Sequence, residues 1–576
     1  MLGPRLVRRV VPVAVDLSKD FDPIVGRVLA ARGIQTASSL DTALTGLARP
    51  EQLSGMAIAV ELLAEACVAQ RRICIVGDYD ADGATSCALA LRALAMLGAG
   101  PVDFVVPNRF EYGYGLTPPI VELVCAKGAQ VLITVDNGMS SIEGVAAAKA
   151  AGLCVIVTDH HLPGATLPAA DAIVNPNAQG DAFPSKALAG VGVIFYVMLA
   201  LRARLRQDGW FAARGIPDPN LGELLDLVAL GTVADVVPLD ANNRCLVAQG
   251  LARLRAGRCV PGLTALIRIA GKDPRRLVAA DLGFALGPRL NAAGRLADMA
   301  TGIALLTSDD PRTCERIARE LDGMNRARRD IEQDMKTQAM AIVANLLDTP
   351  GTAVPAGICL YDEHWHQGVI GVVAARIKEH YHRPVIVFAR GEDGELKGSA
   401  RSIPGVHIRD VLDALATHNP GLLGRFGGHA MAAGLALQAS DLARFTAAFA
   451  AEVTRVVDPI LLERVLLTDG ELAPGDFSLA LARQLSELVP WGQGFPEPIF
   501  EGLFGVRERR VVGEQHLKLK LELPGGALID AIAFNAVEAP WAASAASIYA
   551  AYRLSVNEWN GKESLQLMIE HATAGV

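Results

Sequence analysis

Three aspartates at alternate positions are the residues in this chain best suited to chemistry. Asp78, Asp80 and Asp82 follow the apolar run 73–76, and a stretch of helical composition, residues 84–97, comes next. An open α/β sheet places its ligand site at the carboxyl ends of such buried strands. Carboxylates this close together repel one another unless cations neutralise them. Because Mg²⁺ and Mn²⁺ prefer oxygen ligands, the three aspartates predict a metal site.

Two other interpretations apply to this stretch taken alone. Residues 78–83 match the start of a calcium-binding EF-hand loop, but the twelfth position of that loop should be Glu and is Leu89. A predicted strand also precedes the loop, where an EF-hand has a helix. The second alternative is a solvated acidic turn after a strand.

Further acidic and imidazole groups stand at the ends of neighbouring predicted strands. The predicted strands are 72–76, 102–106, 131–135 and 155–157, and the predicted helices between them are 84–97, 118–127 and 141–151. This alternation is typical of a parallel sheet with crossover helices. Asp136 ends the third strand, and Asp159, His160 and His161 follow the fourth. A lone Asp or His at a strand end is more often structural, but several strand ends meeting at one edge favour a functional site.

Asp235 is a single acid in the otherwise apolar stretch 231–239, which follows a predicted helix at 221–230. Burial of a lone carboxylate is costly unless a partner compensates it. A nearby cation therefore explains Asp235 better than exposure does.

The remaining chain divides into segments of different character. We expect boundaries near residues 50, 308, 350 and 457. Residues 1–50 are expected to form a cap of short helices, and 309–347 a long charged helix whose charges are by default a solvated face. A third unit follows, with strands at 357–360 and 384–389 and a helix at 369–379. After residue 460, alternating strands such as 517–523 and a hairpin turning at Asn560-Gly561 predict a small β-barrel, a fold that often binds single strands.

Composition restricts the class of protein. A chain of 576 residues is too long for one core, and roughly three or four domains are expected. No apolar run reaches the ~20 residues of a membrane helix, and we expect no signal peptide. Nine cysteines without a CxxC pair suit a reducing cytoplasm. The formal net charge of −8 argues against a basic coat but leaves room for a nucleic acid held in a local basic groove.

The motifs resemble, in order and spacing, those of the DHH phosphoesterase superfamily. Four of them are Asp-Tyr-Asp-Ala-Asp-Gly at 78–83, Val-Asp-Asn-Gly at 135–138, Asp-His-His at 159–161 and Ala-Asp-Val-Val-Pro-Leu at 234–239. Three later stretches, at 287–295, 398–402 and 427–434, look like the DHH-associated domain. The implied fold class is α/β, with a parallel-sheet DHH domain and a DHH-associated α/β domain joined by a long helix, plus a carboxyl-terminal OB-like β-barrel. The implied domains are 51–308, 351–457 and 458–576, with the helix at 309–350. With this set, nearly the whole chain is similar to a member of the superfamily that digests single-stranded DNA from its 5′ end.

The resemblance also implies the residues of the site. Two Mn²⁺ or Mg²⁺ ions would be held by Asp80, Asp82, Asp136, His160 and Asp235, with Asp136 as the bridge and Asp78 as a further ligand or a substrate contact. His161 and Asp159 are the implied catalytic groups, with His161 orienting a phosphate oxygen or donating a proton to the leaving oxygen. The implied substrate contacts are Arg109, Tyr112, Tyr114, Arg289, Asn291, Arg295, Ser399, Arg401, Gly428 and His429. Ordinary loop packing is an equally good explanation of the two tyrosines, and the Gly-Gly-His stretch at 427–429 could be only a tight turn.

The implied activity is two-metal hydrolysis of single-stranded DNA in recombination and repair, in the cytoplasm, with no membrane association. A monomer working beside a helicase and a single-strand-binding protein is expected. One alternative is another DHH enzyme with a small substrate: a pyrophosphatase, an oligoribonuclease or a cyclic-dinucleotide phosphodiesterase. Those enzymes generally lack the long helix and the barrel. The other alternative is a replication scaffold without catalysis, which the complete set of ligands opposes.

Overall fold

The computed structural model describes residues 3–12, 15–108, 111–347, 354–391, 394–559 and 561–575. The chain forms two compact units. The larger unit contains Leu6–Asp322 and Leu467–Val576, and the smaller one is built on Gly323–Leu466. Within the described residues, no helix is both long and apolar enough to cross a membrane.

The amino-terminal part of the larger unit is a cap that holds more than the expected short helices. It has a strand, β1 (Arg5–Arg8), a helix, α1 (Pro23–Ala30), and three single turns of 3₁₀-helix. The strand was not predicted, because four residues flanked by arginine and proline give little alternation to detect.

A five-stranded parallel sheet forms the centre of the larger unit, in the order β3-β2-β4-β5-β6. The strands are β2 (Ile73–Val76), β3 (Val102–Val105), β4 (Val131–Val135), β5 (Cys154–Thr158) and β6 (Ala172–Val174). Every residue of β2 and β4 is buried, as expected for parallel strands covered by helices on both faces. The sequence predicts four of these strands, and it misses β6, which has only three residues.

Helices cover this sheet and extend the larger unit. Those around the sheet are α2 (Met56–Val68), α3 (Ala81–Met96), α4 (Pro118–Ala126), α5 (Ile142–Ala150), α6 (Gly190–Gln207) and α7 (Trp210–Arg214). The helix predicted at 221–230 is observed as one 3₁₀ turn followed by α8 (Leu225–Ala234). The next helices are α9 (Ala241–Arg255), α10 (Pro261–Ile269), α11 (Ala279–Asp281), α12 (Gly287–Leu296) and α13 (Ala300–Thr307), and a π-helix, Leu282–Leu286, leads into α12.

The long charged helix is α14 (Pro311–Leu347), in agreement with the sequence. The smaller unit then forms a mixed sheet in the order β10-β11-β9-β8-β7, in which only β7 and β8 are parallel. Its elements are β7 (Ile358–Tyr361), α15 (Ile370–Tyr381), β8 (Val385–Arg390), β9 (Glu395–Arg401), α16 (Ile408–His418), β10 (Phe426–Gly428), β11 (Ala432–Gln438) and α17 (Leu442–Val456). Its core includes three aromatic side chains that contact one another in series, Phe388, Phe445 and Phe449.

The carboxyl-terminal segment forms the predicted barrel. It closes in the order β13-β14-β15-β17-β16, with β15 and β17 parallel. The segment consists of β12 (Val465–Thr468), α18 (Leu479–Glu487), β13 (Phe500–Val512), β14 (His516–Glu522), β15 (Leu528–Ala533), β16 (Ser547–Trp559) and β17 (Lys562–Ala574). Burial alternates along β14 as its sequence pattern predicts. Asn560 of the predicted turn lies outside the described residues.

Candidate metal centre

The carboxyl ends of β2, β4 and β5 bring the predicted metal ligands to one place. His160 Nε2 lies 3.0 Å from Asp136 Oδ1, 3.5 Å from Asp235 Oδ2 and 4.0 Å from Asp82 Oδ2. Three groups have ligand atoms within 4.8 Å of one another: Asp78, Asp80 and Asp136; Asp82, His160 and Asp235; and Asp136, His160 and His161. Among the described residues, Asp136 and His160 each belong to two of the three groups, and the bridging position expected for Asp136 stays a prediction.

The carboxylate of Asp82 lies against the amino terminus of α6. Its Oδ2 accepts a hydrogen bond from the Gly190 amide at 2.6 Å, and its Oδ1 accepts one from the Val191 amide at 3.0 Å. The positive end of a helix favours negative charge at this position. Burial nevertheless raises the pKa of Asp82 to about 7, and the neighbouring Asp80 carboxylate contributes to that rise. The helix can approach so closely because residue 190 is glycine: a Cβ there would lie 2.5 Å from the Cβ of Asp136.

Asp136 and Asp235 each have a buried oxygen that none of the described residues satisfies. Asp136 Oδ1 and Asp235 Oδ2 accept no hydrogen bond from any residue that the structure describes. Burial raises the pKa of both carboxyls well above the usual range, and the charges of Asp82 and Asp80 raise it further. Buried acceptors without donors, in a group of carboxylates that repel one another, are the pattern that a divalent cation resolves. The residues present therefore fit a metal ion.

The backbone at this site is strained. Asp136 has φ +61° and Val236, which directly follows Asp235, has φ +62°. Left-handed φ is tolerated by Asp but is an outlier for a β-branched residue such as Val. Such strain concentrates at functional sites.

Asp159 accepts hydrogen bonds from both histidines. One of its oxygens accepts from the backbone amides of His160 at 2.7 Å and His161 at 3.1 Å, and from His161 Nδ1 at 2.7 Å. The other accepts from the Met139 amide at 2.9 Å. Burial alone would raise the pKa of Asp159, but the His161 contact lowers it overall. Likewise, burial opposes the charged His161, but Asp159 raises the pKa of His161 to about 9. In this geometry Asp159 fixes the orientation of the His161 ring, and its expected catalytic role stays a prediction.

Two asparagines that the sequence analysis missed hold the same pair of histidines. Asn175 Nδ2 donates to the His161 carbonyl at 2.8 Å, and Asn177 Nδ2 donates to the His160 carbonyl at 2.6 Å. Both follow β6, the strand that was not predicted. An Asn-Pro-Asn sequence directly after a strand was the only available indication.

The predicted aromatic contacts differ in their surroundings. Tyr114 is 40% exposed, and its hydroxyl lies 3.4 Å from His161 Nδ1 with the two rings edge to face. Tyr112 is partly buried and packs against the core of the parallel sheet, so ordinary loop packing accounts for it. Arg109 lies outside the described residues.

Helix α12 supports the loop of the first three aspartates. Asn291 Oδ1 accepts from the Ala81 amide at 2.8 Å, and Arg295 lies partly exposed near the end of the helix. Arg289 is 9% exposed and pairs with Asp322, its Nε lying 2.9 Å from Oδ1. Asn291 therefore contacts the metal loop rather than open solvent, and Arg289 is already engaged within the protein. Their expected phosphate contacts stay predictions.

In the smaller unit, three of the four predicted residues lie on β9 and β10, which are separated by β11, and His429 directly follows β10. Ser399 and Arg401 lie on β9, which pairs with β11, and β11 pairs with β10, which ends at Gly428. Arg401 Nη1 donates to the Ala400 carbonyl at 2.8 Å and to Ser399 Oγ at 3.1 Å. His429 is exposed.

Family models match three successive parts of the chain. The DHH family, N-terminal domain, matches residues 72–232, the DHHA1 domain matches 353–455, and the RecJ OB domain matches 468–571. Together with the acidic cluster at the strand ends, these matches define the class as DHH phosphoesterases.

Curated relatives extend the similarity over nearly the whole chain. The single-stranded-DNA-specific exonuclease RecJ of Escherichia coli is 51% identical over 569 residues, which cover 98% of both chains. Its counterpart from Bacillus subtilis is 35% identical over 96% of this chain and 68% of that protein. The crystal structure of RecJ in complex with Mn²⁺ from Thermus thermophilus has a TM-score of 0.81 and 31% identity, covering 99% of this chain and 79% of that one. The protein belongs to the RecJ family.

Proposed function

We propose that the protein is a metal-dependent exonuclease that removes nucleotides from the 5′ end of single-stranded DNA. The observation that carries this proposal is the cluster around Asp136. In it, Asp136 Oδ1 and Asp235 Oδ2 accept no hydrogen bond from the described residues and lie 3.0 and 3.5 Å from His160 Nε2. Relatives named as single-stranded-DNA-specific exonucleases that match 98% of the chain support the choice of substrate. The long helix and the barrel oppose a small-substrate DHH enzyme.

We infer that the site holds two metal ions and that these are Mn²⁺ or Mg²⁺. Solved relatives in complex with Mn²⁺ and with Mg²⁺ support this choice, and a mixed carboxylate and imidazole set suits Mn²⁺ somewhat better. The residues that would hold them are Asp78, Asp80, Asp82, Asp136, His160 and Asp235. When bound, such ions supply a Lewis acid that activates water and offsets charge on the phosphoryl group.

The protein's own groups orient the reacting phosphate. The bond between His161 Nδ1 and Asp159 leaves His161 Nε2 as the atom that can face the substrate. From this atom the imidazole donates a hydrogen bond to a phosphate oxygen, or a proton to the leaving oxygen. Asp159 fixes the ring orientation, and Asn175 and Asn177 fix the backbone that carries both histidines.

Cationic and small residues hold the single-stranded DNA, although the protein has a net charge of −8. Arg109 takes the terminal 5′ phosphate and Tyr114 lies beside the first base, whereas Tyr112 packs against the core of the parallel sheet. We infer phosphate contacts for Arg289, Asn291 and Arg295 of the larger unit. A separate set is inferred for the smaller unit: Ser399, Arg401, Gly428 and His429. Arginine suits this role because its guanidinium binds phosphate through two parallel hydrogen bonds.

The barrel offers a further surface for the strand, since small closed barrels bind single strands through aromatic and basic side chains. We also infer that the protein acts in DNA repair and recombination in the cytoplasm. It would work as a monomer alongside a helicase and a single-strand-binding protein.

The test compares strands labelled at one end. With Mn²⁺ or Mg²⁺, a 5′-labelled single strand should release labelled mononucleotide from the first turnover, whereas a 3′-labelled one should shorten gradually. A blunt duplex should resist both reactions. Release of the 3′ label first, or equal digestion of blunt duplex, would refute the proposed polarity and strandedness.

A further inference from the structure

Phe284 is an exposed aromatic side chain on an unusual stretch of backbone in the larger unit. It is 81% exposed, whereas its neighbours Leu282, Ala285 and Leu286 are buried. All four lie in the π-helix Leu282–Leu286. Short π-helical segments are rare and occur frequently at functional sites. The turn is therefore anchored on one side and presents a phenyl ring to solvent on the other.

This π-helix lies against the element that ends in the predicted metal ligand Asp235. A Cβ on Gly283 would lie 3.3 Å from Val233 Cγ1, and a Cβ on Gly287 would lie 3.1 Å from the Cβ of Ala234. Asp235 follows directly. The π-helix thus packs on the last turn before one predicted ligand.

On its other side, the π-helix continues into α12, whose Asn291 accepts from the Ala81 amide in the loop of the first aspartates. Phe284 therefore sits on a segment that packs against the end of α8 and continues directly into α12. Val236, 63% exposed and strained at φ +62°, is a second apolar side chain in this region. Val236 directly follows Asp235, and Phe284 lies on the turn packed against the end of α8. Two exposed apolar groups on such unusual backbone suggest a binding surface.

We propose that Phe284 stacks against a nucleobase of the bound strand next to the metal centre. This inference rests on the proposed function. Proteins that hold single strands stack successive bases on aromatic rings, because every base offers a π-face whatever the sequence. The adjacent cluster is where the scissile phosphate is expected, so a base within a few nucleotides of it is the natural occupant. A paired base is already stacked on its neighbours, so this contact also favours single strands.

The experiment removes either the ring or the base. Wild type and Phe284→Ala are given 5′-phosphorylated single strands, each with one abasic site at a different distance from the 5′ end, and kcat/KM is measured for each. Phe284→Trp keeps a ring at the position. Ile58→Ala, which truncates a 56% exposed apolar side chain on α2, is the matched control.

The wild type should show a drop in kcat/KM of about 5- to 150-fold at one abasic position, or at two neighbouring ones. On the intact strand, Phe284→Ala should have the lower kcat/KM that the wild type shows when the abasic site is at that position. For Phe284→Ala, an abasic site at that position should cause no further drop. Phe284→Trp and Ile58→Ala should keep the wild-type profile. The inference is overturned if Phe284→Ala keeps the wild-type profile, or if it lowers kcat/KM equally at every position with the drop retained. A changed oligomeric state with the profile retained would overturn it too. A wild type that releases no nucleotides from any strand would instead refute the proposed function.

Discussion

At the scale of single residues, the imidazoles of the site depend on groups that bind no metal themselves. Asp159 holds the ring of His161, and the amides of Asn175 and Asn177 hold the backbone carbonyls of the two histidines. Groups behind metal ligands commonly set how well a site binds its ion. The two asparagines should therefore affect metal affinity more than the stability of the protein.

We predict that Asn177→Ala lowers metal affinity or activity by about 10- to 100-fold, because the His160 carbonyl loses its donor. The measurement is the nuclease rate as a function of Mn²⁺ concentration. Asn177→Asp should behave similarly, since a carboxylate cannot donate. Asn220→Ala removes an exposed asparagine that caps a 3₁₀ turn and serves as the control. An unchanged Mn²⁺ dependence for Asn177→Ala would contradict the positioning role.

At the scale of elements, α12 presses against the loop that carries the first three aspartates. The approach is so close that a Cβ on Gly294 would lie 1.8 Å from the carbonyl oxygen of Tyr79. Something must move if any side chain is added there, and the moving part is either the loop or the helix.

We predict that Gly294→Ala lowers both the nuclease rate and the melting temperature, because the added methyl group displaces the metal loop. Gly323→Ala is the matched control, since a Cβ on Gly323 in α14 meets nothing within 4 Å. That change should stabilise the protein by up to about 1 kcal/mol through helix propensity. Calorimetry and nuclease assays on both variants provide the test. Wild-type activity in Gly294→Ala would show that the loop position does not matter.

The same elements show what can be predicted from sequence. Strands β2, β4 and β5 were predictable because each is a continuous apolar run, and their parallel order requires that Asp136 and His160 meet the first aspartates. The contact of Asp82 with the amino terminus of α6 could not be predicted, because the two residues that it joins are 108 positions apart in the sequence. The support from Asn291 is equally non-local. For Arg289 the sequence motif predicts a phosphate contact, whereas the structure shows an ion pair with Asp322 that the motif does not indicate.

At the scale of the whole molecule, the amino-terminal cap is tied to the carboxyl-terminal segment of the larger unit through one buried arginine. Arg32 donates to both oxygens of Asp469, at 2.7 and 3.0 Å, and both side chains are 1% exposed. It also donates to the Pro496 carbonyl and lies over the ring of Trp491. The two ends of the chain therefore stabilise each other.

We predict that Arg32→Ala destabilises the larger unit by about 3–5 kcal/mol, because the buried Asp469 charge loses both hydrogen bonds from the guanidinium and is left with the longer contact with Arg9, at 3.9 Å. Urea unfolding followed by tryptophan fluorescence measures this change. Arg275→Ala breaks the exposed pair with Asp273 and should cost less than about 1 kcal/mol. Equal effects of the two substitutions would show that the buried pair does not tie the chain ends together.

A second prediction at this scale concerns salt. Arg401→Ala should weaken strand binding similarly for all sequences, and it should make the slope of log affinity against log salt shallower by about 0.7. Arg329→Ala, on an exposed face of α14, should change the slope much less. Fluorescence titrations over a range of salt concentrations give both values. The reverse result, with Arg401 silent, would place the strand along α14.

The most direct test of the central claim is to count bound Mn²⁺ by electron paramagnetic resonance in the same samples whose nuclease rates are measured. Wild type should bind two ions per chain and lose all hydrolysis in chelator. Asp136→Asn should lose hydrolysis and at least one ion. Its melting temperature in chelator should not fall, since Asp136 Oδ1 accepts no hydrogen bond from the described residues. Wild-type hydrolysis after complete removal of metal, or full hydrolysis by Asp136→Asn with two ions bound, would contradict the account.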